Sequence, residues 1–129
     1  MGAPFVRVLF MLSRKNKGRW GEAVARRYLE GKGYATLRTN YYFHGGEIDL
    51  IMQHGHALVL VEVKWRSSLS VGYPEEAVST RKLRKLWRVG EYLLASAPGC
   101  DFLRVEVVSL LYKTDEKCLN VRHRPYLHI

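Results

Sequence analysis

Short apolar stretches bounded by turn residues predict five β-strands. Residues 47–52 alternate, with Ile48, Leu50 and Met52 on one side and Glu47, Asp49 and Ile51 on the other. Residues 57–65 are a denser apolar run, and the Gly-containing turn at 53–56 is short enough for the two strands to pair as a hairpin. The predicted strands are 34–40, 47–52, 57–65, 102–112 and 118–129, with 41–46 as a loop or a distorted strand.

Two other stretches have helical spacing. The first runs from about Arg19 to Glu30 and ends at the glycines that follow. The second is predicted from Pro74, which suits a first helical turn, to about Ser96. It has an apolar stripe (Leu83, Leu86, Gly90, Leu93 and Ala97) and a basic face (Arg81, Lys82, Arg84, Lys85 and Arg88). The order of these elements predicts an α/β domain with a central mixed sheet flanked by helices.

Length and composition limit the class of protein. The 129 residues suffice for one domain, and 47% of them are apolar, so the chain should fold. We assign residues 18–129 to that domain and residues 1–17 to a flexible extension, within which Met11 is an alternative start. The 21 Lys and Arg against 12 Asp and Glu give a net charge of +9, which favours nucleic acid as a partner ahead of a membrane surface. The alternative is a basic surface that serves only solubility.

The cysteines and the hydropathy pattern indicate a compartment. Cys100 and Cys118 have no metal-binding or redox spacing, so we expect reduced thiols in a cytoplasmic protein. No stretch of roughly 18 apolar residues is present, and we therefore expect no membrane span.

The third predicted strand carries two charges near its end. Glu62 and Lys64 are two residues apart and therefore share a face, whereas Val61, Val63 and Trp65 face the other way. Burying a lone carboxylate costs roughly several kcal/mol. Hydrogen-bonding or charged partners must offset that cost. A Glu–Lys pair at the end of the sheet, or a solvated strand face, would explain the pattern without any function.

Asp49 favours a functional explanation. It precedes Glu62 by thirteen positions across the predicted turn, so the two residues would be opposite or diagonal in an antiparallel pair, about 5–8 Å apart at Cβ. Two carboxylates so placed can share Mg²⁺ or Mn²⁺, which prefer oxygen ligands, and the backbone carbonyl of Val63 could be a third ligand. Lys64 would then orient water or offset charge on a phosphate.

Phosphodiester hydrolysis needs such a set of groups, and a basic surface would attract the polyanionic substrate. Glu22 is a further candidate, because it borders the packing face of the first helix. The alternative is a solvated glutamate in the first turn, favoured by the helix dipole.

Blocks of sequence resemble the YraN-like family of endonuclease-like proteins, in the PD-(D/E)XK nuclease superfamily and related to archaeal Holliday junction resolvases. Asp49 and Glu62-Val63-Lys64 match the superfamily signature. The blocks span about residues 18–110: Gly18-x-x-Gly21-Glu22-x-x-Ala25, Tyr28-Leu29, Gly33-Tyr34, Asn40, Gly46-Glu47-Ile48-Asp49-Leu50-Ile51, Val61-Glu62-Val63-Lys64-x-Arg66, Gly72-x-Pro74-x-x-Ala77-Val78 with Lys82, and Arg104-Val105-Glu106-Val107-Val108.

The resemblance implies a restriction-endonuclease-like core. It also implies that Asp49 and Glu62 bind metal, that Lys64 is the catalytic lysine and that Glu22 is an accessory acid. Arg66 and Lys82 would contact phosphate near the site, and we add their basic neighbours Arg81 and Lys85 to the predicted nucleic-acid-binding residues. Because the resolvases act as symmetric dimers, the resemblance is compatible with a homodimer.

Two functions therefore remain open. The first is a Mg²⁺-dependent endonuclease that acts on DNA in preference to RNA, including branched or structured DNA such as Holliday junctions. The second is a non-catalytic nucleic-acid-binding module of the same fold, in recombination, repair or uptake of DNA. The remaining candidates are weaker: we expect His54 and His56 to be exposed turn residues, and Tyr41, Tyr42 and Phe43 to pack in the core rather than stack on a base.

Overall fold

Five strands form one mixed sheet within residues 14–66, 79–113 and 118–126, which are the residues that the computed structural model describes. Among them, β3 and β4 run parallel and the other neighbouring strands antiparallel. The strands lie side by side in chain order: β1 (Ala35–Phe43), β2 (Gly46–His54), β3 (Ala57–Arg66), β4 (Phe102–Lys113) and β5 (Cys118–Tyr126). The predicted mixed sheet is confirmed.

Helix α1 (Arg14–Glu30) covers one face of the sheet. Its Ala25 and Leu29 are fully buried against a row of side chains from β2, β3 and β4: Leu50, Met52, Val59, Val61, Val108 and Leu110. The helix begins five residues before the predicted start, so residues 14–17, which the sequence assigned to a flexible extension, are helical. Residues 1–13 of that predicted extension lie outside the described residues.

Helix α2 (Thr80–Leu94) covers the opposite face. Its Leu86 and Gly90 are buried beside Leu58, Leu60, Leu103 and Val105. Because successive strand residues point to opposite faces, β3 divides its apolar side chains between the two cores. The structure is therefore an α/β fold consistent with a restriction-endonuclease-like core, as the sequence predicted.

The start of α2 differs from the prediction. Ser79 has an extended backbone, with φ −85° and ψ 158°, and its side chain caps the helix by accepting the Lys82 N–H. A single helix continuing from Pro74 is therefore wrong, since an extended residue interrupts it. Pro74 itself lies outside the described residues, as do all of residues 67–78.

The first two strands depart from regular geometry near the predicted site. β1 continues to Phe43 instead of ending at Asn40, but its register shifts between Thr36 and Arg38, and Asn40 has a positive φ of 51°. In β2, Ile48 joins the core under α2, although alternation predicted that it would share the face of Leu50. That part of the prediction is wrong because pairing with β3 ends at Leu50, so the strand beyond is not held to the plane of β3.

Neither helix in the described part of the chain is long and apolar enough to cross a membrane.

Candidate metal centre

The centre begins where the pairing of β2 with β3 stops. The ladder runs from His54↔Ala57 to Leu50↔Val61, so Asp49 and Glu62 occupy the next positions. There the Asp49 carboxylate accepts a hydrogen bond from the Val63 backbone N–H at 2.8 Å. A side chain thus replaces a backbone carbonyl as the partner of β3.

Three carboxylates meet beside this opening. Glu22 on α1 and Glu47 and Asp49 on β2 each place one carboxylate oxygen within 4.8 Å of the others. The side-chain amide of Asn40 donates to Glu22 Oε2 and to Glu47 Oε1, at 2.8 Å each. Asn40 can do so from a left-handed backbone, which asparagine tolerates better than most residues. It therefore links the acid of the helix to an acid of the sheet.

The concentration of acids changes their protonation. Burial raises the pKa of Asp49, and the negative charge of Glu62 raises it further, to about 8, against the lowering effect of the Val63 N–H. Burial also raises the pKa of Glu22, opposed by the hydrogen bond from Asn40 and reinforced by the charge of Glu47. The carboxylates thus have too few positive partners in the protein to keep all of them ionised.

Glu62 is the most buried acid of the centre, with 3% of its surface exposed. Its Oε1 accepts from Lys82 Nζ at 2.6 Å and lies 3.5 Å from Lys64 Nζ. Its Oε2 is buried and has no hydrogen-bond partner among the described residues. Glu62 is not in the group of three carboxylates that all lie within 4.8 Å of one another, but it lines the same cavity as Asp49, and its charge acts on Asp49.

A cavity of about 600 Å³ connects these groups with helix α2. Its walls carry both charges, from the acids Glu47, Asp49 and Glu62 and from the bases Arg81, Lys82 and Lys85. Three of the four predicted nucleic-acid-binding residues therefore border the acids. The fourth, Arg66, ends β3 and by alternation shares the face of Glu62 and Lys64.

The residues present fit a hard divalent cation. Every candidate side-chain ligand is a carboxylate oxygen, the donor type that Mg²⁺ prefers. The unpartnered Oε2 of Glu62 is a buried acceptor that a cation would satisfy. The predicted ligand Val63 gives its N–H to Asp49, and because N–H and C=O of a strand residue point to the same side, we expect its carbonyl on that side as well.

Two members of the centre were not identified from the sequence. Glu47 precedes Asp49 by two residues in an alternating strand, so its position on the same side was a usable signal. Asn40 gave no such signal, because its role depends on a positive φ and on two acids from separate elements.

The histidines of the β2–β3 turn and the aromatic residues of β1 were weaker candidates for a function. His56 is exposed, as expected, whereas His54 stacks on Tyr34 with ring centroids 4.2 Å apart and lies 2.8 Å from Arg104, so its prediction as an exposed residue is wrong. Tyr41 and Phe43 pack against the core under α2, as expected. Tyr42 is 72% exposed, so its prediction as a core residue is wrong; at the edge strand β1 its side chain points away from both cores.

A family model places the chain among known sequences. Residues 21–110 match the model described as "Uncharacterised protein family UPF0102". This range includes α1 from Gly21 onward, every residue of the centre, α2 and most of β4. The YraN-like resemblance is thereby confirmed at the level of the family, whose description states no activity.

Curated relatives are similar over most of their length. A "UPF0102 protein" of Carboxydothermus hydrogenoformans is 39% identical over 101 residues, covering 74% of this chain and 86% of the relative. One from Caldicellulosiruptor saccharolyticus is 36% identical over 112 residues, covering 85% and 94%. One from Chlorobium chlorochromatii is 44% identical over 94 residues, covering 72% of each chain. The chain therefore belongs to the uncharacterised protein family UPF0102.

Proposed function

We propose that this protein is a divalent-metal-dependent endonuclease that hydrolyses phosphodiester bonds in nucleic acid. One observation carries the proposal: carboxylates of β2 and β3 line a cavity whose other wall is basic, and Glu22 of α1 lies beside the carboxylates of β2. Acids alone would repel a polyanion, and bases alone would only bind it. A site that has both suits cleavage of a phosphate diester with the help of a cation.

The acids are the proposed cation ligands. Asp49 and Glu62 are the principal ones, with Glu22 and Glu47 as neighbours and the Val63 carbonyl as a backbone ligand. Bound Mg²⁺ or Mn²⁺ would supply Lewis-acid polarisation of the phosphate and a more acidic water. Hydrolysis adds the oxygen of water to phosphorus, breaks one P–O ester bond, and transfers one proton from the water to the leaving oxygen.

Lys64 is the proposed catalytic lysine. Its ammonium lies 3.5 Å from Glu62 Oε1, and 29% of its side-chain surface is exposed. The ammonium can therefore reach both the carboxylate and an incoming phosphate. From there its N–H groups would orient the water or stabilise the charge that develops on the phosphate oxygens. Arg81, Lys85 and Arg66 would bind flanking phosphates, in keeping with the net charge of +9.

The resemblance to junction resolvases supports a narrower class of substrate. It favours DNA over RNA, and branched or structured DNA over simple duplex. It also supports a homodimer, because a four-way junction requires two matched cuts, and a cytoplasmic location, where such DNA is met.

The test is cleavage of labelled linear, flapped and four-way DNA, and of RNA, with Mg²⁺, with Mn²⁺ and with chelator. We expect metal-dependent cutting that Asp49→Asn and Glu62→Gln lower by at least about 100-fold, the scale of a lost transition-state group. Glu91→Gln, which removes an exposed carboxylate on the same helix as Lys82, is the matched control and should cut normally. Full activity in chelator, or in both centre variants, would refute the proposal.

A non-catalytic nucleic-acid-binding module is the second candidate. It is favoured by the 2.6 Å contact of Lys82 with Glu62 Oε1, which already neutralises the charge of that carboxylate. In that case the wild-type protein would bind DNA without cutting it under any metal condition, and Glu62→Gln would leave the affinity unchanged.

A further inference from the structure

Lys82 makes the closest charged contact in the centre. Its Nζ lies 2.6 Å from Glu62 Oε1, compared with 3.5 Å for Lys64. The two lysines reach this oxygen from different elements, since Lys64 lies on β3 beside Glu62 and Lys82 extends from the first turn of α2. The Ser79 cap fixes the backbone of Lys82 and leaves only its long side chain free to move.

The two partners of this ion pair differ in how easily they can separate. The Glu62 side chain is 4% exposed and sits on a central strand, so it cannot turn to solvent. The Lys82 side chain is 39% exposed and lies along the cavity, so its ammonium can move into water. A buried carboxylate needs a cation, but that cation need not be this lysine.

The other oxygen of Glu62 shows that the pair is incomplete. Oε2 is buried without a partner in the described part of the chain, although Oε1 is approached by two ammonium groups. A divalent cation bound through Oε2 would bring a concentrated positive charge next to the Lys82 ammonium. Repulsion between the cation and the neighbouring ammonium would favour release of Lys82 from Glu62.

We infer that Lys82 is an internal counter-ion that holds Glu62 in the metal-free protein, leaves it when a divalent cation binds, and then contacts a nucleic-acid phosphate. This inference rests on the proposed function. It makes metal binding and nucleic-acid binding mutually reinforcing, because the metal frees the ammonium that the phosphate uses, and linkage makes the effect reciprocal.

The first test is calorimetric titration of Mn²⁺ into metal-free protein. Lys82→Met removes the competing ammonium and should tighten Mn²⁺ binding by about 5–10-fold, the lower range for such coupling. Lys85→Met is the matched control, because it removes a positive charge from the same cavity wall without a contact to Glu62; its Mn²⁺ affinity should change by less than about 2-fold. Equal changes in the two variants, or weaker binding in Lys82→Met, would overturn the inference.

Lys82→Arg keeps the charge and can form a firmer pair with a carboxylate. Its Mn²⁺ affinity should therefore equal or fall below that of the wild type, opposite to Lys82→Met. This variant also provides the test if Lys82→Met fails to fold. Tighter binding in Lys82→Arg would contradict competition by the side-chain cation.

The second test is binding of labelled DNA with and without Ca²⁺, followed by fluorescence anisotropy. Ca²⁺ should tighten DNA binding by wild-type protein about 5-fold. Lys82→Met should lose this gain, whereas Lys85→Met should weaken binding by the same factor in both conditions. A Ca²⁺ gain that persists in Lys82→Met would overturn the inference.

These measurements separate the inference from the function on which it rests. If wild-type protein binds Mn²⁺ and cuts DNA while the two lysine variants behave alike, only the role of Lys82 fails. If neither the wild type nor any variant binds a divalent cation, the metal centre fails and the inference fails with it.

Discussion

Two glutamates are buried in neighbouring strands, and their surroundings differ. Glu106 on β4 is 4% exposed and has partners for both oxygens: Oε1 is 2.7 Å from the Tyr34 hydroxyl, which donates to it, and 2.8 Å from His123 Nε2, while Oε2 forms an ion pair with Arg104 at 3.1 Å. Glu62 on β3 is as deeply buried, but one of its oxygens has no partner among the described residues.

The difference separates a structural carboxylate from one that can accept a ligand. Burial raises the pKa of Glu106, but the hydrogen bonds from His123 and Tyr34 outweigh it, and the pKa is lowered. Next to Glu62, in contrast, the pKa of Asp49 is raised to about 8. A carboxylate that its own protein satisfies stabilises the fold, whereas acids left short of positive charge favour binding of a cation.

The largest expected contrast comes from the same substitution at the two glutamates. Glu106→Gln should lower the free energy of unfolding by roughly 2–4 kcal/mol, because it removes one partner of a buried ion pair. Glu62→Gln in chelator should lower the free energy of unfolding by less than about 1 kcal/mol, because the Lys64 and Lys82 side chains are partly exposed and water can hydrate them when they lose this partner. Urea unfolding measures both, and equal losses would abolish the distinction.

Asp49 should make the metal-free protein less stable as pH rises. An acid whose folded pKa lies above its unfolded value binds more protons when folded, so the stability it gives is lost between pH 3.8 and about 8. Between pH 6 and 8 the wild type should lose about 2 kcal/mol more than Asp49→Asn. Urea unfolding of both proteins in chelator across this range is the measurement. Parallel curves would show that Asp49 titrates normally.

Mg²⁺ should relieve the excess of negative charge. At a concentration ten times its dissociation constant it should stabilise the folded protein by about 1.4 kcal/mol. Asp49→Asn should lose this gain, whereas Glu106→Gln should keep it although its starting stability is lower. Thermal unfolding with and without Mg²⁺ gives the shifts. A gain that survives in Asp49→Asn would place the cation elsewhere.

Asn40 should have the smallest effect. Asn40→Gly keeps a residue that accepts the positive φ but removes both hydrogen bonds to Glu22 and Glu47. Mn²⁺ affinity should fall by about 10-fold, the low end of the range for groups that orient metal ligands. Calorimetric titration measures the change, and unaltered affinity would mean that the acids keep their positions without the amide.

Much of the fold could be predicted because it depends on local patterns. The strand β3, the apolar stripe of α2 and the end of α1 at Glu30 follow from alternation, helical spacing and glycine positions. The start of α2 at Thr80 was missed because Ser79 caps it in preference to the more conspicuous Pro74. Ile48 was placed on the wrong face because strict alternation assumes a strand that stays paired on both sides, and beyond Leu50 β2 keeps β1 as a partner but loses β3.

The sequence by itself determined that Glu62 and Lys64 share a strand face, that Asp49 lies across the hairpin from them, and that α2 has a basic side, because spacing along regular elements fixes these relations. Only the tertiary structure decided that Glu22 and Glu47 join Asp49 through Asn40, and that Lys82 rather than Lys64 is closest to Glu62. These contacts join α1, β1, β2, β3 and α2, and packing of helices on a sheet brings such residues together without any signal in their spacing along the chain.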